Sequence, residues 1–578
     1  MFDTVIRNAT IIDGTGAPSR VGDVAITGDR ITAVGTVAGS GLEEIDAAGL
    51  TLTPGFVDIH THYDGQVSWD SELAPSSLNG VTSIVMGNCG VGFAPVRPEH
   101  HGRLIELLEG VEDIPGTALH EGLTWEWESF PQYMDAIDRR RFTIDIGTQV
   151  PHAALRVYVM GDRGIDHDAI PTDAERERME ALALEAVQAG ALGITTSRSV
   201  AHRAITGELI GTLTAENDEI MALARALKTA GTGVFQLITD AYMKGDADFV
   251  DAEMGLIERI GRTTGRPVSF ALMQTDALPD HWRELQRRAE GWASEGLDIR
   301  TQVAARPVGV NLGFATTLNP FAWTPTYRAL LGLSVENRVA ALATPDVRTA
   351  IIAEHRTMAK DAMTAQTQTA LSKMFRMRTP VDYEPQPEHS VGAEAKRLGR
   401  DPAEHTYDVL LEEGGYRLLY FPVINFADHS LDAVHAMMAS DRALFGLSDG
   451  GAHCGTICDA SFPTTAIGFW RHGNRHGHAF TVEAMVHGYS QRNARYVGWE
   501  DRGVIAQGYL ADLNLIDLDA LVLPPPEIAR DLPAGGARLL QRPTGYRMTM
   551  KCGQVTFRDG TATGALPGRL IRGAQTLN

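Results

Sequence analysis

The sequence predicts an α/β protein built on a (β/α)8 TIM-type barrel, with a composite β-sandwich formed by both chain ends and an insertion over the barrel mouth. Three observations carry this expectation. The long middle of the chain alternates short apolar runs with segments of helical period, both ends read as β-rich, and a His-x-His pair closes an early apolar run. Strand alternating with helix is the pattern of βα units on a parallel sheet. Barrels of such units place their chemistry at the C-terminal ends of their strands.

In chain order, residues 1–53 hold strand-like runs at 4–6, 10–12, 23–26 and 31–34, punctuated by Asp13-Gly14 and Gly28-Asp29, the signals of hairpins. The far end repeats the pattern at 513–516, 546–551 and 555–557 before Asp559-Gly560. These stretches predict the two parts of the sandwich, 1–53 and 501–578, flanking a barrel over 54–500. Within the barrel, strands are expected at 82–86, 142–150, 193–196, 233–238 and 267–273, with helices at 175–189, 218–229 and 254–264 between them. Residues 305–415 break the rhythm: helices at 335–342 and 347–355 lead to a Pro-rich stretch at 379–390, which reads as a lid. Barrel strands are expected to resume at 418–424 and 443–447.

A chain of 578 residues exceeds the usual single domain, and 44% hydrophobic with 21% charged residues is ordinary globular composition. Lys plus Arg number 51 against 73 Asp plus Glu, a net charge of −22 that argues against a nucleic-acid partner. The N-terminus lacks a basic region followed by an apolar one, and no apolar run reaches the length of a membrane span. Four cysteines, Cys89, Cys454, Cys458 and Cys552, make no disulfide framework and fit a reducing cytoplasm. A small-molecule substrate is expected, with a homo-oligomer compatible.

The chemistry concentrates at strand ends. His60 and His62 are two apart after residues 56–59, so in a strand both imidazoles project to one side, as two nitrogen ligands for one divalent ion require. Alone, such a pair also suits a polar strand end that hydrogen-bonds to its neighbours. Asp449 follows another apolar run and offers a carboxylate, or simply opens an Asp-Gly turn. Cys89 is either a small buried hydrophobe or a thiolate ligand. Ser197 and Arg198 end a strand where a guanidinium can grip a substrate carboxylate or lie free on the surface. His152, His202, His429 and His453 are candidates to line the site, each with an ordinary hydrogen-bonded reading beside it.

Pro54-Gly55-Phe56-Val57-Asp58-Ile59-His60-Thr61-His62 resembles the first barrel strand of the metal-dependent amidohydrolase superfamily, and Gly87-Asn88-Cys89-Gly90 resembles the matching segment of its D-aminoacylase branch, the N-acyl-D-amino-acid deacylases. The resemblance extends through residues 109–127, Ser448-Asp449-Gly450 and residues 501–513. It implies hydrolysis of a carbon–nitrogen amide bond in an N-acyl-D-amino acid or related compound by metal-activated water. It also implies one or two divalent ions, zinc first, held by His60, His62, Cys89 and Asp449, with Asp449 as proton shuttle. A cyclic amide or imide hydrolase, or a non-catalytic binding protein on the same fold, are the other readings. The chain departs from the branch at two strands. Tyr-x-x-His and Ser-His-His are usual there, whereas residues 233–240 and 267–274 contain no histidine; Gln236, Asp240 and Gln274 are weak or misplaced substitutes.

Overall fold

The computed structural model describes residues 1–358 and 370–577. Eight segments run parallel in pairing order: β1 (Phe56–Asp58), β2 (Val81–Met86), β3 (Asp145–Thr148), β4 (Gly193–Arg198), β5 (Val234–Thr239), β6 (Val268–Ala271), β7 (Ile299–Val303) and β8 (Ala443–Phe445). They form two sheets rather than one continuous ladder. β1, β2 and β3 make a three-stranded sheet, and β4 to β8 join Val150–Pro151 in a six-stranded one. The break falls at Gln149, so one stretch of chain pairs with β2 on one side and, two residues later, with β4 on the other. A parallel bridge from Thr61 to Gly450 links the segment after β1 to the segment after β8. These strands are buried along most of their length, as parallel strands covered by helices must be.

The helices between them follow from local chemistry. Asp173–Gln188 opens on a capping box in which Thr172 and Glu175 satisfy each other's backbone donors. Ala247–Thr264 opens on Asp246 and closes on Gly265 at φ 63°.

Both chain ends contribute to a single nine-stranded sheet, in which Thr51–Pro54 pairs antiparallel with Leu513–Ile516. Ile26 and Ile31 from one end share a buried cluster with Met548 and Met550 from the other, so the sheet curls over a common core. The two opening runs expected from the sequence are one strand, Phe2–Ile11. Its register shifts between Ile6 and Ala9, where Asn8 adopts φ 61°, a conformation asparagine tolerates. A buried charge knot fastens this sheet to β3. Lys551 Nζ lies 2.5 Å from Asp145 and 2.7 Å from Asp512, and Arg502 lies 2.7 Å from Asp145.

Between β7 and β8 the chain builds a separate cluster around Phe314, Phe321 and Tyr407, with ring centroids 5.1 Å from Tyr407 to each phenylalanine. Residues 359–369 of the expected 305–415 insertion lie outside the described residues. One expectation is corrected here. Leu419–Ile424 is not a barrel strand but pairs antiparallel with Val308–Leu312 and Phe375–Arg376. Its burial alternates towards its end, which suits a sheet with one covered face rather than a parallel strand buried on both. Among the described residues no helix is long and apolar enough to cross a membrane.

Candidate metal centre

His60 and His62 lie just past β1, their rings 5.5 Å apart and each 1% exposed. The intervening Thr61 is pinned by its backbone N–H to Val85 and its bridge to Gly450, so both imidazoles turn to the same side. Cys89 sits in the turn after β2 at φ 53°. The glycines around it are steric necessities: a Cβ on Gly87 would stand 2.3 Å from the Gln149 carbonyl oxygen, and one on Gly90 2.9 Å from Thr196 Cα. Asn88 fixes the turn by donating to Thr61 and Val85 carbonyls.

Cys89 Sγ is 3.4 Å from His60 Nε2, and ligand atoms of His60, His62 and Cys89 lie within 4.8 Å of one another. Asp449, after β8, brings Oδ1 to 3.2 Å from His60 Nε2 and 3.6 Å from His62 Nε2. Four residues from three strand ends thus converge. Leu447, Asp449 and His453 all adopt positive φ (60°, 47° and 47°), backbone strain of the kind held at functional sites.

The electrostatics describe a site short of positive charge. Burial pushes Glu112 up to about 7, Asp64 up to about 6 and the Cys89 thiol up to about 12. Burial drives His60 down to about 4, against the pull of Asp449. Burial would lower His62 too, but Glu112 and Cys89 raise it well above the usual imidazole value. Asp449 stays well below the usual carboxylate range despite burial, because His62 and His60 face it. Both ring nitrogens of His62 and Oε1 of Glu112 are buried without a hydrogen bond among the described residues. Nitrogen, sulfur and carboxylate donors gathered this closely, with both His62 nitrogens left open, fit a divalent cation such as zinc.

Glu112 escaped the sequence reading. It ends α1 (His101–Glu112) and is 1% exposed, with Oε1 3.2 Å from His62 Nδ1 and Oε2 3.8 Å from His453 Nε2. A signal existed: Leu104, Leu108 and Glu112 recur every four residues, which places the carboxylate on the apolar stripe of its helix. Gln302 was also missed; its Oε1 lies 2.8 Å from His60 Nδ1. Gln236 stands at 2.8 Å from the same nitrogen, supporting His60 rather than adding a ligand of its own. Gln274 ties the backbone of Ala427 instead, and Asp240 receives the backbone of Val200.

The remaining candidates divide. His202 and His453 belong to the neighbourhood of the cluster: burial lowers both, His202 to about 3, with His453 and His62 adding to its fall. Ser197 Oγ lies 2.7 Å from His202 Nδ1 and orients that ring. Three others are engaged with partners of their own. His152 is fully enclosed between Thr196 at 2.8 Å and Glu219 at 2.9 Å, and Glu219 also takes Arg156. Arg198 is engaged with Glu253 at 2.8 Å and with the Ala215 carbonyl. His429 packs edge-on against Phe375 and Phe426, in the insertion's surroundings.

The model of the amidohydrolase family matches residues 43–557. Among curated proteins, an N-acyl-D-aspartate deacylase of Alcaligenes xylosoxydans xylosoxydans is 32% identical over 304 residues, 52% of this chain and 54% of the relative. A D-aminoacylase of the same organism is 31% identical over 285 residues, 49% of this chain and 52% of that one. The chain therefore spans about half the length of the curated relatives it matches. Among solved structures, a D-aminoacylase superposes with a TM-score of 0.64 at 23% identity, covering 99% of both chains. The N-acyl-D-glutamate deacylase of Bordetella bronchiseptica, complexed with zinc and a phosphonate inhibitor, does so at 0.63 and 22%, again over 99% of both. At these identities the likeness is one of fold.

Proposed function

The chain belongs to the amidohydrolase family, and from that premise we propose that it hydrolyses the amide bond of an N-acyl-D-amino acid or a related acylamino compound. The observation that carries this reading is the convergence of His60, His62, Cys89 and Asp449 at the C-terminal ends of three parallel strands. The two parallel sheets, joined by the Thr61–Gly450 bridge, we take as a (β/α)8 barrel over residues 54–500. Residues 1–53 and 501–578 then form its companion domain, and the insertion stands over the mouth.

His60, His62, Cys89 and Asp449 would hold a divalent ion, with zinc favoured by the donor set and by the zinc complex of the related deacylase. When bound, such an ion polarises a carbonyl and makes water acidic enough to attack near neutral pH. The protein's own part is proton traffic. Asp449, kept ionised by two imidazoles, accepts a proton from the attacking water at Oδ1 as the C–O bond forms. It returns that proton to the nitrogen as the C–N bond breaks, leaving a carboxylate and an amine. His202, oriented by Ser197, and His453, 3.8 Å from Glu112, would hydrogen-bond the polarised oxygen.

The test is turnover of racemic N-acyl amino acids by zinc-loaded and cobalt-loaded protein, with chiral analysis of the amine released. We expect the D-amino acid. Turnover of cyclic amides alone, or of no amide in any metal form, would overturn the reading.

A further inference from the structure

The two histidines of the cluster are held from behind by different chemistry. His60 turns Nε2 toward Cys89 and Asp449, and its Nδ1 meets the side-chain amide oxygen of Gln302 at 2.8 Å. His62 turns Nε2 toward Asp449, but its Nδ1 faces a carboxylate, Glu112 Oε1 at 3.2 Å. That oxygen is buried and accepts no hydrogen bond among the described residues. A buried carboxylate left in this state costs free energy that a helix end in solvent would avoid. α1 nevertheless carries it inward, and the backbone N–H of His453 donates to the Glu112 carbonyl, locking the helix end to the loop that follows Asp449.

We infer that Glu112 is a positioning residue: its Oε1, 3.2 Å from His62 Nδ1, is the acceptor for that nitrogen's proton once an ion takes Nε2, and it thereby fixes the tautomer whose Nε2 lone pair is offered to the ion. This rests on the metal reading above. An imidazole that binds a metal through one nitrogen is oriented, and made a better donor, by a carboxylate on the other. The pairing is unequal by construction: His60 leans on a neutral amide and His62 on a carboxylate. Glu112 therefore sets how tightly the ion is held through His62, while His60 and Cys89 supply contacts that do not depend on it.

The experiment uses full-length protein and cobalt(II), with affinity measured by competition against a chromophoric chelator and the thiolate-to-cobalt absorption reporting Cys89. Glu112→Ala should lower cobalt affinity about 10-fold to 100-fold. Glu112→Gln keeps the shape and an accepting oxygen and should lose less, with the thiolate band retained. In a His62→Ala background, Glu112→Gln should cause no further loss, because the residue acts through a ring that is gone. Unchanged affinity in both single variants would overturn the inference. So would an equal loss in the His62→Ala background, which would make Glu112 a ligand in its own right. Wild-type protein that binds no cobalt would instead remove the metal reading itself.

Discussion

Two buried clusters in this molecule each pair a histidine with a glutamate, and they differ in what is left unsatisfied. In one, His152 lies between Thr196 and Glu219, and Glu219 takes two contacts of 2.6 to 2.7 Å from Arg156, whose other donors reach backbone carbonyls. Every polar atom has a partner, and Glu219 is held below the usual carboxylate range by His152 and Arg156 despite burial. In the other, His62 and Glu112 face each other with three buried polar atoms unbonded, and burial pushes Glu112 up to about 7. The first is a closed packing device. The second leaves a donor–acceptor pair open beside two strand-end ligands, and a ligand that takes the free ring nitrogen would complete it, since buried polar groups are usually paired.

The sharpest way to break this contrast is to remove ligands from one cluster and partners from the other. His60→Ala combined with His62→Ala should abolish stoichiometric metal, measured by elemental analysis after dialysis, while the far-ultraviolet circular dichroism stays as in wild type. Full occupancy in that variant would make the cluster as structural as the one at His152. Asp449→Asn keeps shape and removes the base, so kcat should fall about 10² to 10⁴-fold with Tm nearly unchanged. A variant that keeps most of its rate would move the base elsewhere, with His453 next in line. Glu219→Gln should behave in the opposite way. Breaking a buried ion pair by removing one partner costs about 3 to 5 kcal/mol, readable in denaturant unfolding, while metal content per folded molecule should not change. Loss of metal in Glu219→Gln would join the two clusters into one functional unit.

How much of this was legible in the sequence follows from the range of the interactions involved. Spacing alone placed His60 and His62 on one side, because that is a local backbone constraint; Cys89 and Asp449 came through the family resemblance of the Gly-Asn-Cys-Gly and Ser-Asp-Gly segments, each having an ordinary reading of its own. The shared sheet of the two ends was also readable, from turn dipeptides between strand-like runs. What escaped depended on distant partners. Arg198 and His152 each had a site reading and an ordinary one, and only the fold supplied their partners, Glu253 for the first and Glu219 with Thr196 for the second. Leu419–Ile424 has the composition of a barrel strand, and only its partners Val308–Leu312 and Phe375–Arg376 show it to be antiparallel. Glu112 was the readable omission, since its helical spacing with Leu104 and Leu108 placed it inward.

The smallest expected effect sharpens the comparison most, because it gives the two glutamates opposite signs. Glu219 has its folded value depressed, so its contribution to stability is present above the ordinary glutamate range and is lost as pH falls through the depressed value. Glu112 is raised from 4.5 to about 7 by burial, so its folded form holds a proton that the unfolded chain has released. Its contribution is therefore present below pH 4.5 and is lost as pH rises from there through about 7. In metal-free protein above pH 7 the ionised Glu112 is a net cost, which Glu112→Gln removes. That variant should then be more stable than wild type at pH 8 by at most about 3 kcal/mol, the rise from 4.5 to about 7 at 1.36 kcal/mol per pH unit, less whatever the charged His62 loses with its partner. The gap should close as pH falls to 5. Saturating zinc should reverse the order, since the carboxylate then has work to do at His62, and wild type should gain more from the ion than the variant does. Unfolding curves of the two proteins at pH 5 and pH 8, with chelator and with zinc, decide it. A Glu112→Gln variant less stable than wild type in chelator at pH 8 would place Glu112 with Glu219, as one more satisfied partner in the core.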